Sequence, residues 1–289
     1  MKFDNPTDQI TYDLIDRLQK FVNRIAARIH SFSRDLGFMK YKMTFGERDD
    51  DIYIITFPKS GTTLMQMLLY QMTTDGNMDF NHIYDVSPWI RNDVFLKRPP
   101  REFPSPRIIK SHDPYRKFDR STKGRFIFVI RNGMDVAVSL YHQQKNYNKA
   151  DLDFDKFYKK TFLDKHQMNY FRFMKAWLQN KNNLNVLYIH FEDILKDFDQ
   201  TIDRIAQFCD IEITAEDRPR IKDRCSFEFM KQHEDKFGEQ PPKPKERIYD
   251  QFIRKGKAGE GKKTLSELQQ KEYLQLFEKE LAQLVEKRR

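Results

Sequence analysis

The chain has 289 residues, 39% of them hydrophobic and 14% aromatic, which is enough to form the core of one large domain or two small ones. A net charge of +9 fits an ordinary solvated surface and equally a cleft that attracts an anionic ligand. No basic run or nucleic-acid-binding motif stands out, and two cysteines exclude a disulfide framework of more than one bridge.

The first predicted element is an amphipathic helix over residues 8–36. Its apolar residues recur at steps of three and four: Ile10, Leu14, Leu18, Phe21, Ile25 and Ile29. The other face carries Arg17, Lys20, Arg24, Arg28 and Arg34. Two interpretations stay open: a helix packed on the domain, or a basic helix that rests on an anionic membrane surface.

We expect a cytoplasmic protein. The two cysteines, Cys209 and Cys225, form no CxxC motif and suit a reducing compartment. The N-terminal residues lack the apolar region of a signal peptide, and no apolar run is long enough to span a bilayer.

A strand, a tight loop and the start of a helix follow in residues 52–73. Ile52–Phe57 is apolar and β-branched, and the loop that follows contains Lys59, Ser60, Gly61, Thr62 and Thr63. Amides of such a loop and the dipole of the helix create an anion site, although an ordinary strand–turn–helix would read similarly. The GxxxxGK[ST] pattern of a Walker A loop is absent.

Further strands are predicted at 107–112, 125–130 and 186–190. Helices are predicted at 134–141, 165–180, 191–208 and 266–287, and this alternation indicates one α/β domain over 1–289, built on a P-loop-like parallel sheet flanked by helices. Residues 1–45 would form an N-terminal helical extension. The loop-rich segment 74–105 is predicted to wall the site, and 236–262 to form a mobile covering loop.

Two further strand ends carry basic or titratable residues. Arg131 follows the 125–130 strand, with Ser139 about two helical turns later, and Lys110 and His112 lie two residues apart at the end of the 107–112 strand. Ligands bind at the carboxyl ends of parallel strands, where Arg suits phosphate. Alone, Arg131 could equally cap a helix or pair with Asp135.

These segments, in this order, resemble the motifs of soluble, small-molecule sulfotransferases that use PAPS (3′-phosphoadenosine 5′-phosphosulfate). The similar segments are FPKSGTT at 57–63, RIIKSH at 107–112, RNGMDVAVS at 131–139, CSFEFM at 225–230 and RKGKAG at 254–259. Two positions depart from the family pattern, Leu64 where Trp is usual and Phe191 where Tyr is usual. The family's dimer motif is degraded after Lys262, so a monomer or a dimer formed in another way is expected.

The resemblance implies PAPS as donor, PAP as product and no metal. It implies that His112 is the general base, that Lys59 stabilises the leaving phosphate, and that Lys110 assists on the sulfuryl oxygens. The implied cofactor-binding residues are Lys59, Ser60, Gly61, Thr62, Thr63, Leu64, Arg131, Ser139, Phe191, Phe227, Arg254, Lys255 and Gly256.

The acceptor is expected to be a small hydroxyl compound, a phenol or sterol rather than a carbohydrate. The candidates for the acceptor pocket are aromatic: Trp89, Tyr115 and Tyr141. The alternatives are a carbohydrate sulfotransferase, a nucleotide kinase or hydrolase, a nucleic-acid or lipid-surface binding protein, and a PAP-binding protein without catalysis.

Overall fold

The structure is a computed structural model that describes residues 6–148, 152–164, 169–238 and 251–289. Within those residues the chain forms two compact units. The first comprises Ile90–Glu102 and the described part of Met1–Gly46, and the second comprises Glu47–Trp89 and the described part of Phe103–Arg289. The described residues of the predicted N-terminal extension lie in the first unit.

The strands are β1 (Ile52–Thr56), β2 (Ile108–Ser111), β3 (Arg125–Ile130) and β4 (Val186–His190). The α-helices are α1 (Pro6–Phe45), α2 (Thr62–Thr73), α3 (Ile90–Phe95), α4 (Gly133–Asn148), α5 (Phe154–Tyr158), α6 (Tyr170–Gln179), α7 (Phe191–Lys196), α8 (Phe198–Cys209), α9 (Asp217–Arg224), α10 (Phe227–Gln232), α11 (Glu260–Thr264), α12 (Glu267–Glu280) and α13 (Ala282–Glu286). No helix among the described residues combines the length and the apolar character needed to cross a bilayer.

The first unit joins the C-terminal part of α1 to α3. Tyr41 is buried, and its hydroxyl lies 3.2 Å from a carboxylate oxygen of Asp93, which is itself fully buried. Arg98 and Arg101 lie 3.8 and 3.5 Å from the same carboxylate. The helix predicted over 8–36 is confirmed and extends in both directions.

The second unit is built on a four-stranded parallel sheet in the order β2-β1-β3-β4. The register pairs Ile55 with Ser111, Thr56 with Val129, and Ile130 with His190. The carboxyl ends of all the strands therefore lie along one edge, where an α/β sheet binds ligands. The predicted α/β fold with a parallel sheet flanked by helices is confirmed.

Both faces of the sheet are covered, which explains why its strands read as continuous apolar runs. Ile54 and Ile127 belong to the same buried cluster as Leu68 of α2. The Trp177 ring of α6 stacks on Phe128 of β3, with 5.6 Å between ring centroids. Because successive strand residues face opposite ways, this aromatic packing lies on the other face of the sheet.

Two helices predicted as continuous are interrupted. Residues 191–208 form α7 and α8, because Asp197 adopts an extended conformation and its side chain accepts a hydrogen bond from the Gln200 amide. Residues 266–287 form α12 and α13, separated at Leu281, whose φ of −129° is not helical. Steps of three and four continue across both breaks, so the apolar pattern predicted one helix in each case.

Three other predicted segments differ in extent from what the structure describes. The predicted loop at 74–105 contains α3 and a short 3₁₀ helix at Ile83–Asp85. Of the helix predicted at 165–180, residues 165–168 lie outside the described residues. The same holds for residues 239–250 of the predicted covering loop.

Candidate active site

The loop between β1 and α2 forms the floor of the site. Lys59 and Gly61 have positive φ angles of 69° and 94°, and α2 begins directly afterwards at Thr62. Its first turn carries no acidic residue, so the partial positive charge at the helix start is not neutralised there. The buried Ser60 hydroxyl has no hydrogen-bond partner among the described residues.

Arg131 connects this loop to the end of β3. One of its terminal nitrogens donates to the Lys59 carbonyl oxygen at 2.8 Å, and the guanidinium lies 4.4 Å from the ring centroid of Phe191. A Cβ on Gly61 would lie 2.7 Å from that same ring, so only glycine fits there. Burial lowers the pKa of Arg131. Its buried Nε has no partner in the described part of the chain.

His112 is half-buried at the end of β2, and its protonation state follows from its contacts. Its Nδ1 lies 2.9 Å from the Thr56 carbonyl oxygen and 3.1 Å from the Thr56 hydroxyl. A carbonyl oxygen only accepts, so Nδ1 carries the proton and Nε2 is the basic nitrogen. Burial, then the charges of Lys110 and Lys59, lowers the pKa of His112 from 6.5 to about 3.

Lys110 is buried beside the same histidine. Its Nζ donates to the Tyr84 hydroxyl at 2.7 Å and lies 4.1 Å from the ring centroid of Trp89. The Trp89 ring in turn meets the His112 ring edge-on at 5.4 Å. Lys59 places its Nζ 4.4 Å from the ring centroid of Phe252. Aromatic faces thus hold both ammonium groups at a stabilising distance.

The segment before α11 brings two more cations to the site. Glu260 accepts hydrogen bonds from both terminal nitrogens of Arg254 and, at 2.6 Å, from the ammonium of Lys255. The bonds from Arg254 are the main reason that the pKa of Glu260 falls to about 2. Asp135 of α4 accepts from the amides of Gly259 and Gly261 at 2.7 and 2.6 Å, which fixes the end of the segment.

Phe227 opens α10, whose N-cap Ser226 accepts a hydrogen bond from the Phe229 amide. A Cβ on Gly256 would overlap the Phe227 ring, and Gly256 has a φ of +59°. Phe227, of the predicted segment 225–230, and Gly256, of the predicted segment 254–259, are therefore in direct contact.

These groups line one cavity of about 510 Å³ in the second unit. Of the predicted site residues, the lining includes Lys59, Gly61, Thr62, Thr63, Leu64, Trp89, Lys110, His112, Arg131, Ser139, Phe191, Phe227, Arg254, Lys255 and Gly256. Ser60 is buried and is not part of the lining.

Tyr115 and Tyr141 do not line this cavity, contrary to the sequence prediction. The Tyr115 hydroxyl donates to the Asn180 side chain at 2.8 Å and accepts from the Asn182 amide, so it is fully used inside the protein. The Tyr141 hydroxyl donates to the Leu152 carbonyl oxygen, and its ring packs on Phe154.

One helical face was missed by sequence reasoning. Leu140, Gln143, Gln144 and Tyr147 of α4 line the cavity beside Ser139. They follow Ser139 at helical spacing, which could have identified them once that residue was assigned to the site. Other apolar residues that line the cavity and were not predicted are Pro58, Leu195, Cys225, Met230, Phe252 and Ile253.

The cavity brings several anion-binding groups together. The β1–α2 loop contributes Lys59, Thr62 and Thr63, and Arg131, Ser139, Arg254 and Lys255 contribute a further hydroxyl and three cations. The buried Nε of Arg131, without a partner among the described residues, suits an additional acceptor such as a phosphate oxygen. The volume of the cavity lies in the range usual for ligand sites.

The chain is similar to known proteins. The model of the sulfotransferase domain family matches residues 49–285. The chain is 30% identical to an amine sulfotransferase of Oryctolagus cuniculus over 207 residues, which cover 68% of each chain. It is 28% identical to sulfotransferase 2A1 of Homo sapiens over 257 residues, which cover 85% of this chain and 89% of the relative.

Solved structures share the fold. Mouse sulfotransferase SULT7A1 complexed with PAP superposes with a TM-score of 0.63 at 23% identity, covering 85% of this chain and 88% of that one. Retinol dehydratase in complex with androsterone and PAP gives a TM-score of 0.67 at 20% identity, covering 85% of each chain. The chain therefore belongs to the sulfotransferase family and is an enzyme that uses PAPS as its donor.

Proposed function

We propose that the enzyme transfers the sulfuryl group of PAPS to a hydroxyl group of a small, mainly apolar acceptor, with His112 as the general base. The observation that carries this proposal is the position of His112 in the cavity, with Nδ1 protonated and Lys110 and Lys59 as its charged neighbours. PAPS supplies the sulfuryl group when it is bound.

In this mechanism His112 takes the proton from the hydroxyl group of the acceptor substrate. The Thr56 carbonyl holds the Nδ1–H, so the lone pair of Nε2 is available for the hydroxyl. Nε2 takes the proton as the acceptor oxygen bonds to sulfur and the bond between sulfur and the phosphate oxygen breaks. The low pKa of His112 keeps the ring neutral before the reaction.

The two lysines stabilise the negative charge that develops during transfer. Lys59 neutralises the bridging oxygen as it becomes part of a phosphate anion, and Lys110 stabilises the sulfuryl oxygens. Their aromatic neighbours, Phe252 and Trp89, fix both ammonium groups before the acceptor arrives. This preorganisation lowers the cost of rearranging charge during the reaction.

The remaining residues hold the nucleotide. The loop amides with Thr62 and Thr63 bind the 5′-phosphate, and Arg131 with Ser139 binds the 3′-phosphate. Arg254 and Lys255 would close over the 3′-phosphate. To do so, they would replace their hydrogen bonds to Glu260 with hydrogen bonds to the phosphate. Phe227 stacks on the adenine, assisted by the close approach of Gly256.

The cavity wall favours an apolar acceptor over a carbohydrate. Its lining is mainly hydrophobic, including Trp89, Leu140, Met230, Phe252 and Ile253. Gln143, Gln144 and Tyr147 form a short polar row on α4, and the Gln143 amide donates to the Tyr147 hydroxyl at 2.8 Å. A carbohydrate would require more polar groups than this wall offers.

The enzyme's location and assembly are proposed on sequence grounds alone. We propose a cytoplasmic location from the use of cysteine, and a monomer or a dimer that does not use the degraded motif after Lys262.

A screen with labelled PAPS tests the acceptor class. Phenols, sterols, primary amines and oligosaccharides are compared at equal concentration, with a reaction inhibited by excess PAP as the control. We expect transfer to a phenol or sterol and little to oligosaccharides. Transfer to oligosaccharides or amines alone would overturn the proposed acceptor class. The absence of PAP binding would overturn the proposed nucleotide site.

A further inference from the structure

Helix α1 exposes a long row of apolar side chains. The row, here called the apolar stripe, consists of Ile10, Leu14, Leu18, Phe21, Val22, Ile25, Ile29 and Phe32. Each of these side chains is 41 to 69% exposed, whereas Tyr41, near the C-terminal end of the same helix, is buried. Contiguous apolar surface of this kind marks an interaction site more often than a free surface.

A basic flank runs along one edge of the apolar stripe. At about 100° per residue, Arg17, Lys20, Arg24 and Arg28 lie within about 80° of one another, on the same side of the stripe. Residues 17–34 contain no Asp or Glu. Lys20 has a partner in Asp16 at 2.6 Å, but both side chains are exposed and such pairs are weak.

We propose that α1 binds the surface of a membrane that contains anionic phospholipids. The helix would lie in the plane of the interface, with the apolar stripe among the acyl chains and the basic flank on the headgroup phosphates. Its mixed character, apolar on one face and basic beside it, matches both layers of such a surface. This inference does not depend on the proposed reaction.

A second copy of the chain is the main competing occupant, and the surface fits it less well. The apolar stripe spans an arc of about 120°, wider than the narrow a/d seam of a two-stranded coiled coil. Coiled-coil partners also need complementary charges beside the seam, but the flank carries one sign over four residues. An anionic surface complements that flank along its whole length.

Vesicle sedimentation with the full chain tests this inference. The wild type is mixed with vesicles of phosphatidylcholine alone and with vesicles that also contain phosphatidylglycerol, at low and high salt. Two variants are compared, one with Arg17, Lys20, Arg24 and Arg28 all changed to Gln, and one with Leu14, Leu18 and Phe21 changed to Gln. A matched control carries Lys196→Gln, Lys271→Gln, Lys279→Gln and Lys287→Gln, which remove four exposed charges elsewhere.

We expect binding only to the anionic vesicles, weakened by salt, and at least about tenfold weaker in both α1 variants. The matched control should bind like the wild type, and circular dichroism should show that all the variants fold. Equal binding to both kinds of vesicle, or the same loss in the control, would overturn the inference. A dimer in light scattering that the Leu14, Leu18 and Phe21 changes abolish, without vesicle binding, would assign the stripe to a second copy instead.

Discussion

His112 donates its Nδ1–H to the carbonyl oxygen of Thr56 at 2.9 Å. Because Thr56 is the last residue of β1 and His112 follows β2, this hydrogen bond joins two adjacent strand ends. It fixes the tautomer of the ring, and with it which nitrogen can accept a proton. The backbone of one strand thereby orients the base supplied by the next.

Replacing His112 with Ala should abolish most of the transfer while PAP still binds. The imidazole is the proton acceptor in the proposed reaction, and loss of a general base costs roughly 10²–10⁴-fold in rate. Initial rates with labelled PAPS and calorimetric titration with PAP measure the two effects. His30→Ala, at an exposed position on α1, is the control. Full activity in His112→Ala would remove this residue from the mechanism.

Acid should destabilise the wild type more than His112→Gln. The pKa of His112 is about 3 in the folded protein and 6.5 unperturbed, so the unfolded chain binds the extra proton between these values. Its contribution to folding stability is therefore complete above pH 6.5 and is lost as the pH falls toward 3. Urea unfolding from pH 7.5 to 4.5 measures the difference, and parallel curves for the two proteins would contradict it.

Arg131→Ala should weaken the binding of PAPS far more than that of adenosine 5′-phosphosulfate. A charge-assisted hydrogen bond contributes roughly 1.5–3 kcal/mol, and only PAPS has the 3′-phosphate that Arg131 is proposed to bind. Equilibrium dialysis with both ligands measures the ratio. Arg125→Ala, at the opposite end of the same strand, is the matched control. Equal losses for both ligands would assign Arg131 to the loop at Lys59 instead.

Gly256→Ala should lower the affinity for PAP, and Gly259→Ala should not. Both positions have positive φ, so alanine costs roughly 1–2 kcal/mol of backbone strain at either. Only at Gly256 does the added methyl also displace Phe227, whereas a Cβ on Gly259 meets no atom of the described residues within 4 Å. Fluorescence titration of PAP compares the pair. Similar affinities in the two variants would show that Phe227 does not contact the adenine.

Glu260→Gln should increase the affinity for PAP by about three- to tenfold. The carboxylate accepts hydrogen bonds from Arg254 and Lys255 and would repel a 3′-phosphate placed beside them. Adenosine 5′-phosphate, which lacks that group, should bind equally well to both proteins. Glu267→Gln, exposed at the start of α12, is the control. A weaker affinity for PAP would mean that Glu260 orients the two cations for the phosphate.

The sequence predicted the strands well, and most residues of the proposed donor site line one cavity, because the signals for both are local. Ile52–Thr56 and residues 126–130 are buried on both faces of the sheet, so each strand reads as one apolar run whose end marks a ligand position. The loop after β1 could be recognised in the same way, since its small and hydroxyl residues stand directly before an apolar helix.

What the sequence did not reveal depends on contacts between distant residues. Tyr115 does not line the cavity, and its hydroxyl donates a hydrogen bond to the side-chain oxygen of Asn180, 65 positions later. The break at Asp197 depends on whether that side chain caps the following helix, and apolar periodicity carries no information on this. Leu14 and Leu18 are exposed, and the sequence could not predict this either. Apolar residues recur at the same steps of three and four whether a helix is packed on a domain or not.

Asp135 holds the amides of Gly259 and Gly261 with its two carboxylate oxygens. This residue lies only four positions after Arg131, so the downstream end of the segment that carries Arg254 is tied to the strand end beneath it. A displacement of Arg254 by a bound nucleotide would therefore leave Gly259 in place, because these hydrogen bonds restrain that end of the segment. Asp135→Ala would remove this restraint, and we expect it to change the rate at which PAP dissociates.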